Sequence, residues 1–290
     1  MVIKLSQLYL DARKELSHKE DAQSASLIAR NLLCHITGKT QEQLIADFDS
    51  YATEKESAEM SAAVWRVLTG TPLAYVIGQW DFYGMTLHVD KSVLIPRDDT
   101  CAVTDMAIKK ALFLDKAPRI LDLCTGSGCI GLAIAHRVKD AKITLADISK
   151  DALAVAKKNI TAQKLTGRVS CICADALAEP SSFLGKFDMI VSNPPYITTQ
   201  EMEELPNSVK DYEPHLALHG GADGLDFYRA IAKNYQKALK PDGYLCFEFG
   251  MGQGNDVCRI LEENSYTILE RSRDYNDRER AVLAQCRKDD

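Results

Sequence analysis

The residues Asn193-Pro194-Pro195-Tyr196 carry the most specific chemistry in the chain. They follow Phe187-Asp188-Met189-Ile190-Val191-Ser192, an apolar run of strand length. The Asn193 side-chain carbonyl can accept one hydrogen bond and the Pro194 carbonyl another. Proline has no N–H and a fixed φ, so the turn is stiff and brings no competing donor. Two acceptors side by side match the two hydrogens of a planar NH2 group, and the Tyr196 ring offers a flat face for such a group to stack on. The four residues read as a device for holding an amide or an exocyclic base amine by both hydrogens. The plainer reading is a Pro-Pro turn after a strand, with Asn as a cap.

The elements that must position this turn alternate regularly. Strand-like runs lie at Ile120–Leu123, Ile143–Ala146, Val169–Cys173, Met189–Ser192 and Tyr244–Phe249. Helical periodicity covers about 100–114, 129–138, 150–160, 225–239 and 252–263. This order implies an α/β fold with a parallel sheet and helices on both faces. Tyr266–Leu269 and Ala281–Gln285 have no helix between them, so the last strand is expected to be antiparallel. Upstream, over residues 79–95, Trp80, Phe82, Tyr83, Leu87, Val89 and Val93 suit strands and Gly84 a turn, which reads as a hairpin.

The first seventy or so residues read as helical throughout. Leu5, Leu8, Tyr9 and Ala12 recur at helical spacing, as do Leu27, Ile28, Leu32 and Leu33 before Gly38. Thr53 and Glu56 form a capping-box pattern that opens a helix ending near Gly70 and Pro72. The expected organisation is a helical domain over 1–72, a β-hairpin linker over 73–96 and a catalytic domain over 97–290.

A cofactor site is expected after the first strand of the sheet, at Cys124-Thr125-Gly126-Ser127-Gly128. Glycines there let the backbone approach a ligand at a helix N-terminus. The spacing is neither that of a dinucleotide fingerprint nor that of a phosphate loop. Asp147 ends the next strand, where an acid commonly takes ribose hydroxyls; its other reading is a cap for the helix that follows. Asp175, beside Ala176, ends the third strand and is placed to meet an adenine amine, unless it is merely an acid in a polar loop. The switch point of a doubly wound sheet brings these loops and Asn193 to one edge.

Composition narrows the function classes. The 290 residues carry a net charge of −6 and a pI of about 5.6, which argues against an extensive nucleic-acid groove. Nine scattered cysteines include no Cys-x-x-Cys pair; they read as buried reduced thiols, with no metal site expected. No run reaches membrane-spanning length and the start of the chain lacks a signal-peptide pattern, so a cytoplasmic location is expected.

A glycine-rich loop, two acids after successive strands and Asn-Pro-Pro-Tyr after the fourth together resemble Rossmann-like class I S-adenosylmethionine-dependent methyltransferases. The segments Pro72–Tyr75, Val93–Arg97, Tyr212–Leu218 and Gly220–Arg229 go further and resemble the HemK/PrmC family across nearly the whole chain. That resemblance implies a small N-terminal helical bundle, a hairpin linker and a catalytic domain. It also implies S-adenosylmethionine as cofactor and peptide chain release factors as protein substrates, methylated on the glutamine amide of their Gly-Gly-Gln motif. The catalytic residues implied are Asn193, Pro194, Pro195 and Tyr196. Those implied for the cofactor are Cys124, Thr125, Gly126, Ser127, Gly128, Asp147, Asp175, Ala176 and Asn193.

The chain departs from the family pattern at Cys124, where glycine is usual, and at Asp98-Asp99, where Pro-Glu is usual. Because Cys124 has a Cβ, its loop is expected to keep negative φ. His215 and His219 read as loop residues and Arg278-Glu279-Arg280 as a solvated hairpin edge. Glu248 either meets substrate or pairs with a neighbouring base; Arg97 either reaches a partner's carboxylate or braces its loop. Two other readings of the whole remain: a methyltransferase for exocyclic amines of nucleic acid, and a cofactor-binding module without catalysis. The intact Asn193–Tyr196 turn opposes the latter.

Overall fold

The computed structural model describes residues 3–114 and 116–287. The chain divides into two compact units, Met1–Gly78 and Gln79–Asp290.

The first unit is helical: α1 (Leu5–Leu16), α2 (Ala22–Thr37), α3 (Gln41–Ala46), α4 (Glu54–Leu68) and α5 (Leu73–Ile77). Its core gathers Leu5, Leu8, Leu16, Leu32, Leu33, Met60 and Val64, one apolar stripe from each long helix. The Asp21 side chain accepts from the backbone of Gln23 and Ser24 to open α2, which Gly38 closes at φ 66°. The expected capping box forms at Thr53 and Glu56, and a second forms at Thr40 and Gln43. Pro72 follows the end of α4 and stands at the N-cap of α5.

The second unit opens with the hairpin β1 (Gln79–Phe82) and β2 (Met85–His88), turned by Tyr83 and Gly84 at φ 51° and 77°, as a two-residue turn with both φ positive requires. Then follow α6 (Cys101–Ala111), β3 (Arg119–Leu123), α7 (Cys129–Arg137), β4 (Lys142–Asp147), α8 (Lys150–Ala162), β5 (Val169–Cys173), β6 (Phe187–Ser192), α9 (Thr199–Glu204) and α10 (Asn207–Lys210). The chain continues through α11 (Asp226–Asn234), β7 (Leu239–Glu248), α12 (Gly254–Glu263), β8 (Tyr266–Arg273) and β9 (Glu279–Cys286).

The seven strands lie in the order β5-β4-β3-β6-β7-β9-β8. The first five are parallel, and β9 runs antiparallel to both β7 and β8. Alternation along β3 sends Ile120 into one core and Leu121 and Leu123 into the other, so the central strands are apolar on both faces. From β3 the chain builds outward through β4 and β5, then returns to place β6 on the other side of β3. This reversal opens a crevice at the C-terminal ends of β3 and β6.

Strands β8 and β9 extend further into the charged segment than the apolar pattern suggests. Arg271 pairs with Glu279 across the two strands at 2.6 Å, so the charges serve as cross-strand partners. Cysteine burial also differs from expectation. All nine thiols are free, but Cys246 alone is fully buried and Cys173 is exposed, because β5 is an edge strand. Among the described residues no helix is long and apolar enough to cross a membrane.

Candidate active site

The loop Cys124–Gly128 is folded by hydrogen bonds from the strands around it. Thr125 N donates to the Ala146 carbonyl at 3.0 Å, and Gly126 N donates to Asp147 Oδ2 at 2.9 Å. Below the loop, Asp122 Oδ2 accepts from Thr125 Oγ1 at 2.6 Å and from Gly131 N at 2.9 Å. Asp122 is fully buried, and burial pushes its carboxyl up to about 7 against these two hydrogen bonds. Sequence reasoning missed this acid because it sits within a strand pattern, where only its polarity marks it.

Cys124 does not keep negative φ: it stands at +59°, with Gly126 at +53° and Gly128 at +86°. The chain must turn sharply from the end of β3 into α7, and left-handed residues make that turn. A Cβ on Gly128 would crowd the Leu145 side chain at 2.9 Å, whereas the Cβ position of Gly126 is open. Burial pushes the Cys124 thiol well above its ordinary range, so it stays neutral.

One cavity joins most of the expected residues. Cys124, Thr125, Gly126, Ser127, Asp147, Asp175, Ala176, Asn193 and Pro195 line it, with Arg97, Thr100, Ile148, Leu177 and Phe227. Gly128, Pro194 and Tyr196 are not part of its wall. Asp147 Oδ1 also accepts from Ser149 N at 2.9 Å, while Ser149 itself caps α8. Asp175 is exposed, and its Oδ1 accepts from Leu177 N at 2.8 Å. Asn159, fully buried on α8, donates to the carbonyls of Ser127 and His88 at 2.9 and 3.0 Å. It thereby ties the Cys124–Gly128 loop to the hairpin, a role that no local pattern announces.

The Asn193 turn is held from several sides. Pro194 and Pro195 are buried. Gln253 Nε2 donates to the Tyr196 carbonyl at 3.0 Å, and Ile197 exchanges backbone bonds with Leu218 and Gly220. A Cβ on Gly220 would lie 2.7 Å from the Pro195 oxygen, and one on Gly224 would fall onto the Tyr196 carbonyl. These contacts give the glycines of the Gly220–Arg229 segment a steric purpose. Asn193 Nδ2 donates to Thr100 Oγ1 at 3.3 Å, whereas its Oδ1 is buried without a partner.

Behind Asn193 stands Glu248, 1 % exposed, with Oε2 unpartnered. Burial pushes its carboxyl up to about 7, opposed by hydrogen bonding from Thr100 and Asn193 and by Arg280. Arg280 is not a solvated edge residue. It is 9 % exposed and reaches Asp99 at 2.8 Å and Asp274 at 3.1 Å, because β9 lies inside the sheet. Arg97 pairs with the buried Glu213 and so braces two loops that border the cavity. His219 hydrogen-bonds Thr199 Oγ1 at 2.9 Å, and exposed His215 meets the Lys210 carbonyl at 3.2 Å, as loop residues do.

Comparison with known proteins identifies the family of the chain. Residues 3–78 match the PrmC N-terminal domain, and residues 105–210 match the methyltransferase small domain. The release factor glutamine methyltransferase of Clostridium acetobutylicum is 43 % identical over 73 % of this chain and 74 % of its own. That of Chlorobaculum tepidum is 39 % identical over 89 % of this chain and 90 % of its own. A methyltransferase structure from Pyrococcus furiosus, 16 % identical, shares the fold with a TM-score of 0.51 over 79 % of this chain and 100 % of its own. Similarity to full-length relatives at this level, joined to a methyltransferase sheet and a PrmC-type helical unit, makes the chain a member of the release factor glutamine methyltransferase family.

Proposed function

We propose that this protein methylates the side-chain amide nitrogen of the glutamine in the Gly-Gly-Gln motif of peptide chain release factors, with S-adenosylmethionine as donor. The observation that carries the reading is the buried, unpartnered Oδ1 of Asn193, a residue that lines the same cavity as Cys124–Ser127. A buried acceptor without a donor is costly, by about 1–3 kcal/mol, and an incoming N–H removes that cost. The open Cβ position at Gly126 and the acceptors of Asp147 and Asp175 suit the nucleoside part of such a cofactor.

When bound, the cofactor supplies a methyl group on a sulfonium, a good electrophile with a neutral leaving group. The difficulty lies in the amide nitrogen, whose lone pair is delocalised into its carbonyl. Asn193 Oδ1 and the Pro194 carbonyl, each taking one N–H, orient that nitrogen and stabilise the positive charge it develops. Holding nitrogen and methyl within about 3 Å in line supplies a large part of the acceleration. The methylated nitrogen then sheds a proton readily, and no strong base is called for. An exocyclic base amine offers the same two hydrogens, but the net charge of −6 and the relatives' names favour the protein substrate.

The test is fragment mass spectrometry of an unmodified release factor incubated with the protein and S-adenosylmethionine. One methyl on the Gly-Gly-Gln glutamine is expected, and none with Asn193→Ala. Methylation that persists undiminished in Asn193→Ala overturns the mechanism, and a release factor left unmodified by the wild type overturns the substrate.

A further inference from the structure

The Asn193 amide is a two-ended group. A half-turn about its Cβ–Cγ bond exchanges acceptor for donor with little change of shape, and the wrong end would present N–H to N–H. Some feature of the site must select the end that faces the cavity. Thr100 Oγ1, which accepts from Nδ2 at 3.3 Å, is not sufficient, because a hydroxyl can equally donate. A carboxylate is acceptor-only, and the one behind this pair is Glu248, at the end of β7 and opposite Ala281 of β9.

We propose that Glu248 is a positioning residue: its ionised carboxylate, together with the Thr100 hydroxyl, holds the Asn193 amide with Nδ2 inward and Oδ1 turned to the substrate. The proposal rests on Asn193 being the acceptor of the substrate amide, as argued above. Three observations support it. Glu248 is 1 % exposed, its Oε2 has no partner, and the pairing of Ser192 with Phe247 sets Asn193 and Glu248 side by side at the ends of β6 and β7. A buried carboxylate so incompletely satisfied is an expensive feature that packing alone does not require.

Protonation gives Glu248 a donor that can bond Oδ1, and the selection is lost. Its pKa near 7 places that change within the working range. The groups that face it are Asp99 before α6, Arg280 on β9, Tyr196 after β6, Tyr228 on α11, Cys101 on α6 and Cys129 on α7. Asp99 and Arg280 are paired with each other. Burial raises the two phenols and two thiols, so they remain neutral through this range.

The experiment compares the full chain with Glu248→Gln between about pH 6 and 9, a window chosen to bracket the transition. Turnover at saturating cofactor, cofactor affinity and the 15N resonance of the Asn193 side-chain NH2 are followed together. In the wild type, turnover should rise with pH and the NH2 resonance should titrate with it. Glu248→Gln should lose about 10- to 100-fold in kcat, as expected for a misoriented reacting group. It should lose both pH dependences and retain cofactor affinity. Thr100→Val should reproduce the loss and Thr100→Ser restore part of it, which decides the matter even if Glu248→Gln folds poorly. Wild-type turnover in Glu248→Gln, an NH2 resonance that ignores Glu248, or an equal loss of cofactor binding overturns the proposal. The resonance is read without acceptor, so a failure to methylate release factors, which would sink the substrate reading, is distinguishable from a failure here.

Discussion

Gly126 donates its backbone N–H to Asp147 Oδ2 at 2.9 Å, joining the ends of two neighbouring parallel strands. Asp147 thus orders the Cys124–Gly128 loop and also lines the cavity, and a carboxylate has lone pairs to spare beyond that bond. Asp147→Ala is expected to weaken cofactor binding by about 10- to 100-fold, the worth of one or two charge-assisted hydrogen bonds. The rate at saturating cofactor should stay within a few-fold. Calorimetric titration with S-adenosylmethionine checks this; an unchanged affinity excludes Asp147 from the cofactor site.

The left-handed backbone at Cys124 carries strain that glycine would not. Cys124→Gly should therefore stabilise the protein by about 0.5–1 kcal/mol, part of the relief being offset by the greater freedom of glycine when unfolded. The urea midpoint should rise with an unchanged slope. Cys124→Val, branched at Cβ, should destabilise the loop and weaken cofactor binding. A midpoint that falls on substitution by glycine would show that the thiol's packing outweighs its strain.

Gly224 faces the Tyr196 carbonyl at φ 74° and has no room for a side chain. Gly224→Ala is expected to displace the Asn193 turn and lower kcat by about 100-fold, the effect of a misplacement near 1 Å. Cofactor affinity should fall much less than kcat, because Asn193 and Pro195 are only two of the residues that line the cavity. Parallel kinetic and binding titrations test the separation; a mutant that loses both equally shows general unfolding instead.

Asp122 and Glu248 are both held protonated to about pH 7 by burial. The unfolded chain releases these protons in the ordinary carboxylate range and so binds fewer protons than the native state above it. Each group's stabilising contribution is therefore fully present below that range and is lost as pH rises toward 7. Relative to wild type, Glu248→Gln should become progressively more stable between about pH 4.5 and 7, then change no further. Urea titrations across that interval decide it; a stability difference independent of pH means that Glu248 is ionised throughout.

Periodicity made the alternating strands and helices legible, and the acids at strand ends and the Asn193 turn announced themselves by residue type. What stayed hidden depends on contacts across the sheet. Arg280 sits in a charged stretch that resembles a surface edge; only the insertion of β9 between its neighbours encloses it. Cys124 was misjudged because a general preference for negative φ yields to the turn demanded between β3 and α7. Thr100 and Asn193 are far apart in sequence, and neither signals the other. Glu248 was visible as a polar residue in an apolar strand, but its complete burial beside Asn193 follows only from the pairing of β6 with β7.

The insertion of β9 between β7 and β8 has a consequence for biogenesis. The sheet is incomplete until β9, which follows β8 in the chain, enters between β7 and β8, so β7 gains its second neighbour only after β8 has been made. The same strand delivers Arg280 to Asp99. A ribosome-bound chain can therefore order the loops after β3, β4 and β5 before the Arg280–Asp99 pair exists, and competence should arrive only once β9 has been translated. Turnover assays on stalled chains with β9 inside or clear of the exit tunnel would expose that order.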